Sequence, residues 1–361
     1  MQNPNKYIEA PSEVINSLIY LFGKRKFNEI IQKIDTSIKK YPDSTTLLNI
    51  RGSSNLELKK FNTAVIDFKT ACLKNPEIPE IYYNLGLSYY HLGNIQYSIS
   101  NYEKAIKLNP FYSDAFCNLG MVFFKESNFT KSISNFKKCL KVDPNHAGAY
   151  FNLGNVYKKM DLIDSAILNY KKSISINPDY FEAHINLGNA FRDKGDFNTS
   201  IFHLQKSLSI NPKSYESYSN LGLTYKKKGS FTSAIKNTKS AIRLDRKKSV
   251  AYKNLGAIYF ELKNYNLAIK FFKTSLKKTA FSCYLYHNLA ISYLNSFNFN
   301  EGLKYLSTGL KTLINEKDFK TNNFDGINQL LFGINYCPNH TSEEIYSYYQ
   351  QFDNKFGLPL Q

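Results

Sequence analysis

The chain has no tryptophan, and of its 47 basic residues only Arg25, Arg51, Arg192, Arg243 and Arg246 are arginine. Lysine therefore supplies nearly all of the +18 formal charge. An ammonium is a point charge without the planar fork that grips phosphate bidentately. The lysine surplus travels with equally inflated Asn, Ile, Phe and Tyr, which is the residue usage of an AT-rich genome. Any DNA binding is expected to be weak, sequence-indifferent and salt-dependent, so no specific nucleic acid is expected as a partner. Cysteine is scarce too: Cys72, Cys117, Cys139, Cys283 and Cys337 are odd in number and form no CxxC. That pattern speaks for reduced thiols rather than a disulfide frame or a zinc site, and the expected compartment is the cytoplasm. No run approaches ~18 apolar residues, and "MQNPNKYIEAPSEVINS" carries no apolar signal core, so neither export nor membrane insertion is expected.

Signatures of chemistry are missing as well. GxxxxGK[ST], HExxH and GxSxG do not occur. The six histidines (His91, His146, His184, His203, His287 and His340) are dispersed over the chain. A solitary His on a helix is far more often packed or solvated than a ligand, because metal sites make geometric demands that need several donors. No catalytic residue, no metal ligand and no cofactor is expected, and the chain reads as a non-enzyme.

What the sequence does have is a period. Gly52, Gly86, Gly120, Gly154, Gly188, Gly222 and Gly256 stand 34 residues apart without a slip, with Ala290 in the next place. Pro42, Pro76, Pro110, Pro144, Pro178 and Pro212 keep the same period. Nine units follow in register: 11–44, 45–78, 79–112, 113–146, 147–180, 181–214, 215–248, 249–282 and 283–316. Each reads as two antiparallel helices. The first carries Leu-Gly, whose missing side chain lets the second approach. An aromatic follows three residues later, as at Tyr89, Phe123 and Tyr157, and then a turn that often holds Gly, as at Gly93, Gly195 and Gly229. The second helix opens on an apolar residue such as Phe61 or Phe129. Small residues stand at two fixed places along it, as at Ala64 and Ala71 or Ser132 and Cys139. Their spacing puts apolar and small side chains on one face. Proline then ends the helix. The domain reading is a tail at 1–10, nine repeats over 11–316, and a helical cap or connector at 317–361.

These residues resemble the tetratricopeptide repeat family, whose unit is 34 residues long. The place that family usually gives to Trp is here Tyr82, Phe116, Tyr150, His184, Tyr218, Tyr252 and Tyr286. The resemblance implies an all-α fold, an α-α superhelix of about nine helix-turn-helix repeats with a C-terminal helical cap and a concave wall made of first helices. It also implies a scaffold whose partners are proteins or extended peptides. Some co-chaperones of the family clamp a C-terminal carboxylate with Lys one residue before the Asn place and Asn three residues after it. Here Lys253 meets Ala257, and Asn155 and Asn189 have no Lys, so that clamp is assembled in no unit.

Seven consecutive units keep an asparagine before Leu-Gly: Asn84, Asn118, Asn152, Asn186, Asn220, Asn254 and Asn288. Asn sits about 0.5 kcal/mol below Ala inside a helix, so seven copies would cost roughly 3–4 kcal/mol if nothing offset them. One reading is a peptide-binding ladder, since an amide offers both donor and acceptor to any peptide backbone. The other is inheritance of a duplicated unit together with local structural hydrogen bonding.

From about Asn315 the period stops. Ile327, Leu330 and Leu331 keep a helical apolar spacing, Pro338 marks a turn, and Thr341 with Glu344 suits the start of a last helix. The stretch from Leu330-Leu331-Phe332 to Phe356-Gly357 is similar to the connector of tetratricopeptide glycosyltransferases of the protein O-GlcNAc transferase kind. That resemblance implies an alternative, the acceptor-binding part of such an enzyme with a separate glycosyltransferase domain as partner. The sugar-nucleotide residues would then lie outside this sequence.

Overall fold

In a computed structural model, residues 9–279 and 282–315 are described, together with 341–343, 346–347 and 350. Among them are eighteen α-helices and no strand, the all-α class that the period implies. The helices form nine hairpins. The first five are α1 (Ser12–Gly23) with α2 (Phe27–Ser37), α3 (Thr45–Glu57) with α4 (Phe61–Lys74), α5 (Pro79–His91) with α6 (Ile95–Leu108), α7 (Ser113–Lys125) with α8 (Phe129–Val142), and α9 (Ala147–Lys159) with α10 (Ile163–Ile176). The last four are α11 (Phe181–Asp193) with α12 (Phe197–Ile210), α13 (Tyr215–Lys227) with α14 (Phe231–Leu244), α15 (Ser249–Glu261) with α16 (Tyr265–Leu276), and α17 (Cys283–Asn295) with α18 (Phe299–Asn315).

The chain divides into two compact units, residues 1–180 and 181–361. Within each, a second helix packs on its own first helix and on the first helix of the next hairpin, and consecutive first helices touch. The core is correspondingly shared between neighbours. One apolar cluster joins Leu48 of α3, Phe68 of α4 and Leu85 of α5.

The glycine period has a direct steric cause. A Cβ on Gly154 would lie 2.5 Å from the ring of Tyr170, and on Gly120 it would lie 2.8 Å from the ring of Phe136. In the five other hairpins that carry the glycine, the same place is filled by Phe68, Tyr102, Leu204, Thr238 and Phe272. Most of these are fully buried. The small residues lie where their spacing puts them: Ala64, Ser132, Ala166 and Ala268 are at 0% exposure, as are Ala71, Cys139, Ser173 and Ala241. The lysines of the second helices are solvent-facing, but Lys138 also lays its ammonium over the ring of Phe116 and Lys104 over that of Tyr82.

Two features of the connections were not legible as period. Before five of the six periodic prolines, Pro42 excepted, an Asn or Asp folds its side chain onto the backbone two residues on. Oδ1 of Asn75 accepts from the Glu77 amide at 3.2 Å, and Oδ1 of Asp143 from the Asn145 amide at 3.0 Å. In addition, every hairpin turn places one residue at positive φ. Only Gly93, Gly195 and Gly229 are glycine there; Arg25, Lys59, Ser127, Asp161, Lys263 and Phe297 hold φ of 57–62°. A left-handed conformation costs an L-residue about 1–2 kcal/mol, part of which glycine's extra unfolded-state freedom cancels. Exposed Lys59, changed to Gly, is therefore expected to raise stability by about 0.5–1 kcal/mol. An unaltered or lower denaturation midpoint would show that the turn is not strained.

Glu9 and Ala10, the described residues of the first ten, are tied to the N-terminus of α3. The Glu9 carboxylate accepts from the Thr45 and Thr46 amides at 3.0 and 3.4 Å, and Ala10 is buried. An anion at the N-terminus of α3 is stabilised by the orphan amides there. Although burial pushes the Glu9 carboxyl up, its hydrogen bonds to Ser44, Thr45 and Thr46 hold it below its ordinary value. The helical cap and connector expected over 317–361 fall almost wholly outside the described residues.

Candidate functional site

The seven asparagines sit one per first helix, from α5 to α17. The leucine that follows each is buried and turns into the hairpin. The asparagines are half-buried, apart from Asn254 at 8% exposure. Asn84, Asn118 and Asn152 belong to the first unit; Asn186, Asn220, Asn254 and Asn288 to the second.

Where consecutive first helices touch, the amides are used. Nδ2 of Asn118 donates to the Tyr83 hydroxyl at 2.9 Å, and Nδ2 of Asn152 to Sγ of Cys117 at 3.8 Å. Asn254 donates to Oγ of Ser219 at 3.4 Å. Asn84 donates to Oδ1 of Asn49 at 3.2 Å. In all four the partner stands 35 positions earlier, one residue ahead of the preceding hairpin's asparagine place. Two asparagines differ. Oδ1 of Asn220 accepts from Arg192 at 3.2 Å, and Nδ2 of Asn288 returns to the Tyr284 carbonyl of its own helix at 2.7 Å. The side chain at 35 back sets the partner, which is why one asparagine row makes unlike bonds. An amide with one N–H committed keeps a second N–H and a carbonyl oxygen that can take two hydrogen bonds.

The same wall carries other groups. Ile19, Phe22, Asn49, Ile50 and Ser53 line a pocket of about 200 Å³ on α1 and α3. Asn49 and Ser53 both accept from the Asn84 amide, so an apolar recess adjoins the first member of the row. In the second unit, Nη1 of Arg192 also bonds Oδ1 of Asn189 at 2.8 Å. Burial pulls the Arg192 guanidinium below its ordinary value, and the neighbouring Asp193 offsets this only in part. Tyr83 packs against Tyr102 and Tyr112 with ring centroids at 5.8 and 5.0 Å, and burial pushes its hydroxyl up to about 12.

Histidines and cysteines that seem unrelated in sequence are gathered by the hairpins. His184 and His203 lie in the same repeat, with Nδ1 atoms 3.2 Å apart in a buried place. Cys117, Cys139 and His146 converge in the first unit, their ligand atoms all within 4.8 Å of one another. No local motif announces either group, since partners on facing helices stand far apart in the chain.

Models of the tetratricopeptide repeat match residues 79–112, 147–180 and 249–278 in one case and 215–248 in another. A model of the TPR repeat matches 120–161 and 188–229. A search of curated proteins finds no match. Among solved structures, a tetratricopeptide repeat protein from Parabacteroides merdae aligns with 71% of this chain and 98% of its own, at 14% identity and a TM-score of 0.59. The Cut9–Hcn1 hetero-tetramer of the APC/C aligns with 84% of this chain and 59% of its own, at 17% identity and TM-score 0.56. PilW, described as a type IV pilus biogenesis factor, aligns with 57% of this chain and 95% of its own, at 18% identity and TM-score 0.53. At these identities the likeness is one of fold.

Proposed function

Because this chain belongs to the tetratricopeptide repeat family, we propose that it is a non-catalytic scaffold that binds extended peptide segments of partner proteins along its first helices. The observation that supports this reading is the amide repeated once per first helix from α5 to α17, half-buried everywhere but at Asn254. Each of the inter-repeat bonds holds an amide in place while sparing groups suited to a passing peptide backbone. Pre-organised polar groups lose little entropy on binding. A backbone-reading wall tolerates many sequences, and the apolar recess beside Asn84 would select one anchoring side chain.

The structural role and the binding role of the row can be separated. Changing Asn84, Asn118 and Asn152 together to Ala removes three amides from one compact unit. It is expected to weaken peptides selected from a display library on the unaltered chain by about 2–4 kcal/mol, at about 0.5–1.5 kcal/mol per bond. Tyr83→Phe removes only the hydroxyl to which Asn118 donates. It should leave peptide affinity within about a factor of two while lowering stability by about 1 kcal/mol. If the triple variant binds its peptides unchanged, the amides serve the repeat seam alone and the ladder reading fails. The connector that resembles glycosyltransferases, 330–357, lies outside the described residues apart from a few positions.

A further inference from the structure

The fourth hairpin differs from its neighbours at two places where its helices close on each other. The residue ahead of the asparagine and the second small residue of the partner helix are Tyr83 and Ala105 in the third hairpin, Phe151 and Ser173 in the fifth, and Ser219 and Ala241 in the seventh. In the fourth they are Cys117 on α7 and Cys139 on α8. Both thiols are free, Cys117 at 5% exposure and Cys139 at 0%. A third element brings His146, the residue that caps α9, so that two sulfurs and a ring nitrogen lie within 4.8 Å of one another.

The imidazole is fixed on both sides. Nε2 faces Oδ1 of Asp114 at 3.1 Å, and Nδ1 accepts from the Ala149 amide at 3.0 Å. The accepting role assigns the lone pair to Nδ1 and leaves the proton on Nε2, where the carboxylate takes it. A carboxylate on the far nitrogen is the usual companion of a metal-ligating histidine, because it sets the tautomer and the ring's orientation. Gly148 leaves room for the ring: a Cβ there would stand 3.2 Å from Cε1 of His146. Asn152 aims an amide N–H at Sγ of Cys117, as a donor to a thiolate would.

We propose that Cys117, Cys139 and His146 bind a thiophilic divalent cation, zinc in preference to magnesium or calcium, with Asp114 as the positioning residue for the imidazole. Two thiolates and a neutral imidazole suit zinc, whereas magnesium and calcium require oxygen donors. The charge also balances: each thiol gives up its proton to solvent, and the two thiolates neutralise the ion, so no net charge is buried. Zn–S and Zn–N distances of about 2.3 and 2.0 Å require the donors to close by up to about 1 Å, within the reach of side-chain rotation. Nδ1 would exchange the Ala149 amide for the metal. Three protein ligands leave a fourth position for water.

The full chain, stripped by a chelator and kept in a thiol-free phosphine reductant, would be titrated with Co²⁺ and then Zn²⁺. The expected result is one Co²⁺ per chain, with a near-ultraviolet thiolate charge-transfer band and visible absorption of tetrahedral intensity. Zn²⁺ should displace it, and binding should release about two protons per ion. The double variant Cys117→Ser with Cys139→Ala carries the residues that the seventh hairpin already holds at these places, so the hairpin is retained; its far-ultraviolet circular dichroism checks this. It should lose the band and bind at least about a hundredfold more weakly, two of three ligands being gone. Asp114→Asn should keep the band and weaken binding about tenfold or more. Cys72, Cys283 and Cys337 remain in every variant, so nonspecific thiol binding would survive in the double variant. A band missing from the unaltered chain, or unchanged in the folded double variant, overturns the proposal.

Discussion

Gly154→Leu is expected to strip amide-exchange protection from α9 and α10 and to cost at least about 3 kcal/mol, the upper end of the overpacking range. A Cβ alone at this position would lie 2.5 and 2.6 Å from two ring carbons of Tyr170. The ring cannot withdraw. Tyr170 is at 0% exposure, and its hydroxyl donates to Oδ1 of Asn155 at 2.8 Å. A leucine must therefore push α10 off α9 or drive itself out of a staggered rotamer. Gly23→Ala is the matching control, because a Cβ there meets nothing within 4 Å. It should leave stability unchanged or raise it by up to about 1 kcal/mol. If Gly154→Leu melted and exchanged like the unaltered chain, the glycine period would need a cause other than this contact.

Arg51→Met is expected to destabilise the first two hairpins by about 3–5 kcal/mol. Nη2 of Arg51 lies 2.6 Å from Oδ1 of Asp67, whose side chain is 3% exposed, and Nη1 lies 2.8 Å from Asp35 of the preceding hairpin. Asn55 donates to the other Asp67 oxygen at 3.0 Å. Burial alone would lower the Arg51 guanidinium, yet its bonds to Asp67 and Asp35 outweigh that and hold it above its ordinary value. Removing the arginine leaves a buried carboxylate with one amide for company, which is the costly half of breaking such a pair. The double variant Arg51→Met with Asp67→Leu removes both charges and should recover most of the loss. Urea denaturation of the two variants, with exchange protection read in α3 and α4, distinguishes the cases. Equal losses in single and double variants would assign the cost to packing instead of the orphaned charge.

Much of the architecture could be read from glycine and proline alone, because both report backbone constraints that recur wherever the hairpin recurs. The register follows: α3, α5, α7 and α9 begin at Thr45, Pro79, Ser113 and Ala147, each the first residue of its 34-residue unit. The partner of the glycine was less visible. Phe68, Tyr102, Phe136, Tyr170 and Phe272 share the period, but Leu204 and Thr238 break the residue type while filling the same place. The left-handed turn position was hidden for a similar reason. Three glycines mark it, whereas six other residues are forced into it by the packing on either side. As for the asparagines, sequence could place them on one face of each first helix. It could not say that Asn118 would meet the Tyr83 hydroxyl, because that depends on how closely neighbouring helices approach. The Cys117, Cys139 and His146 group has no signature in the sequence, because its members are spaced by hairpin geometry, not by a local motif.

The Gly154–Tyr170 contact lies inside one hairpin, whereas the bond from Asn152 to Cys117 crosses between two. The first kind of contact rivets a link; the second adds a polar clasp to the apolar core that neighbouring links share. Under tension, such a chain yields link by link, as arrays of nearest-neighbour repeats do. Each hairpin that lets go pays out 34 residues of chain, about 120 Å of extended length. Within a unit, one released hairpin thus supplies slack while the remaining links stay folded.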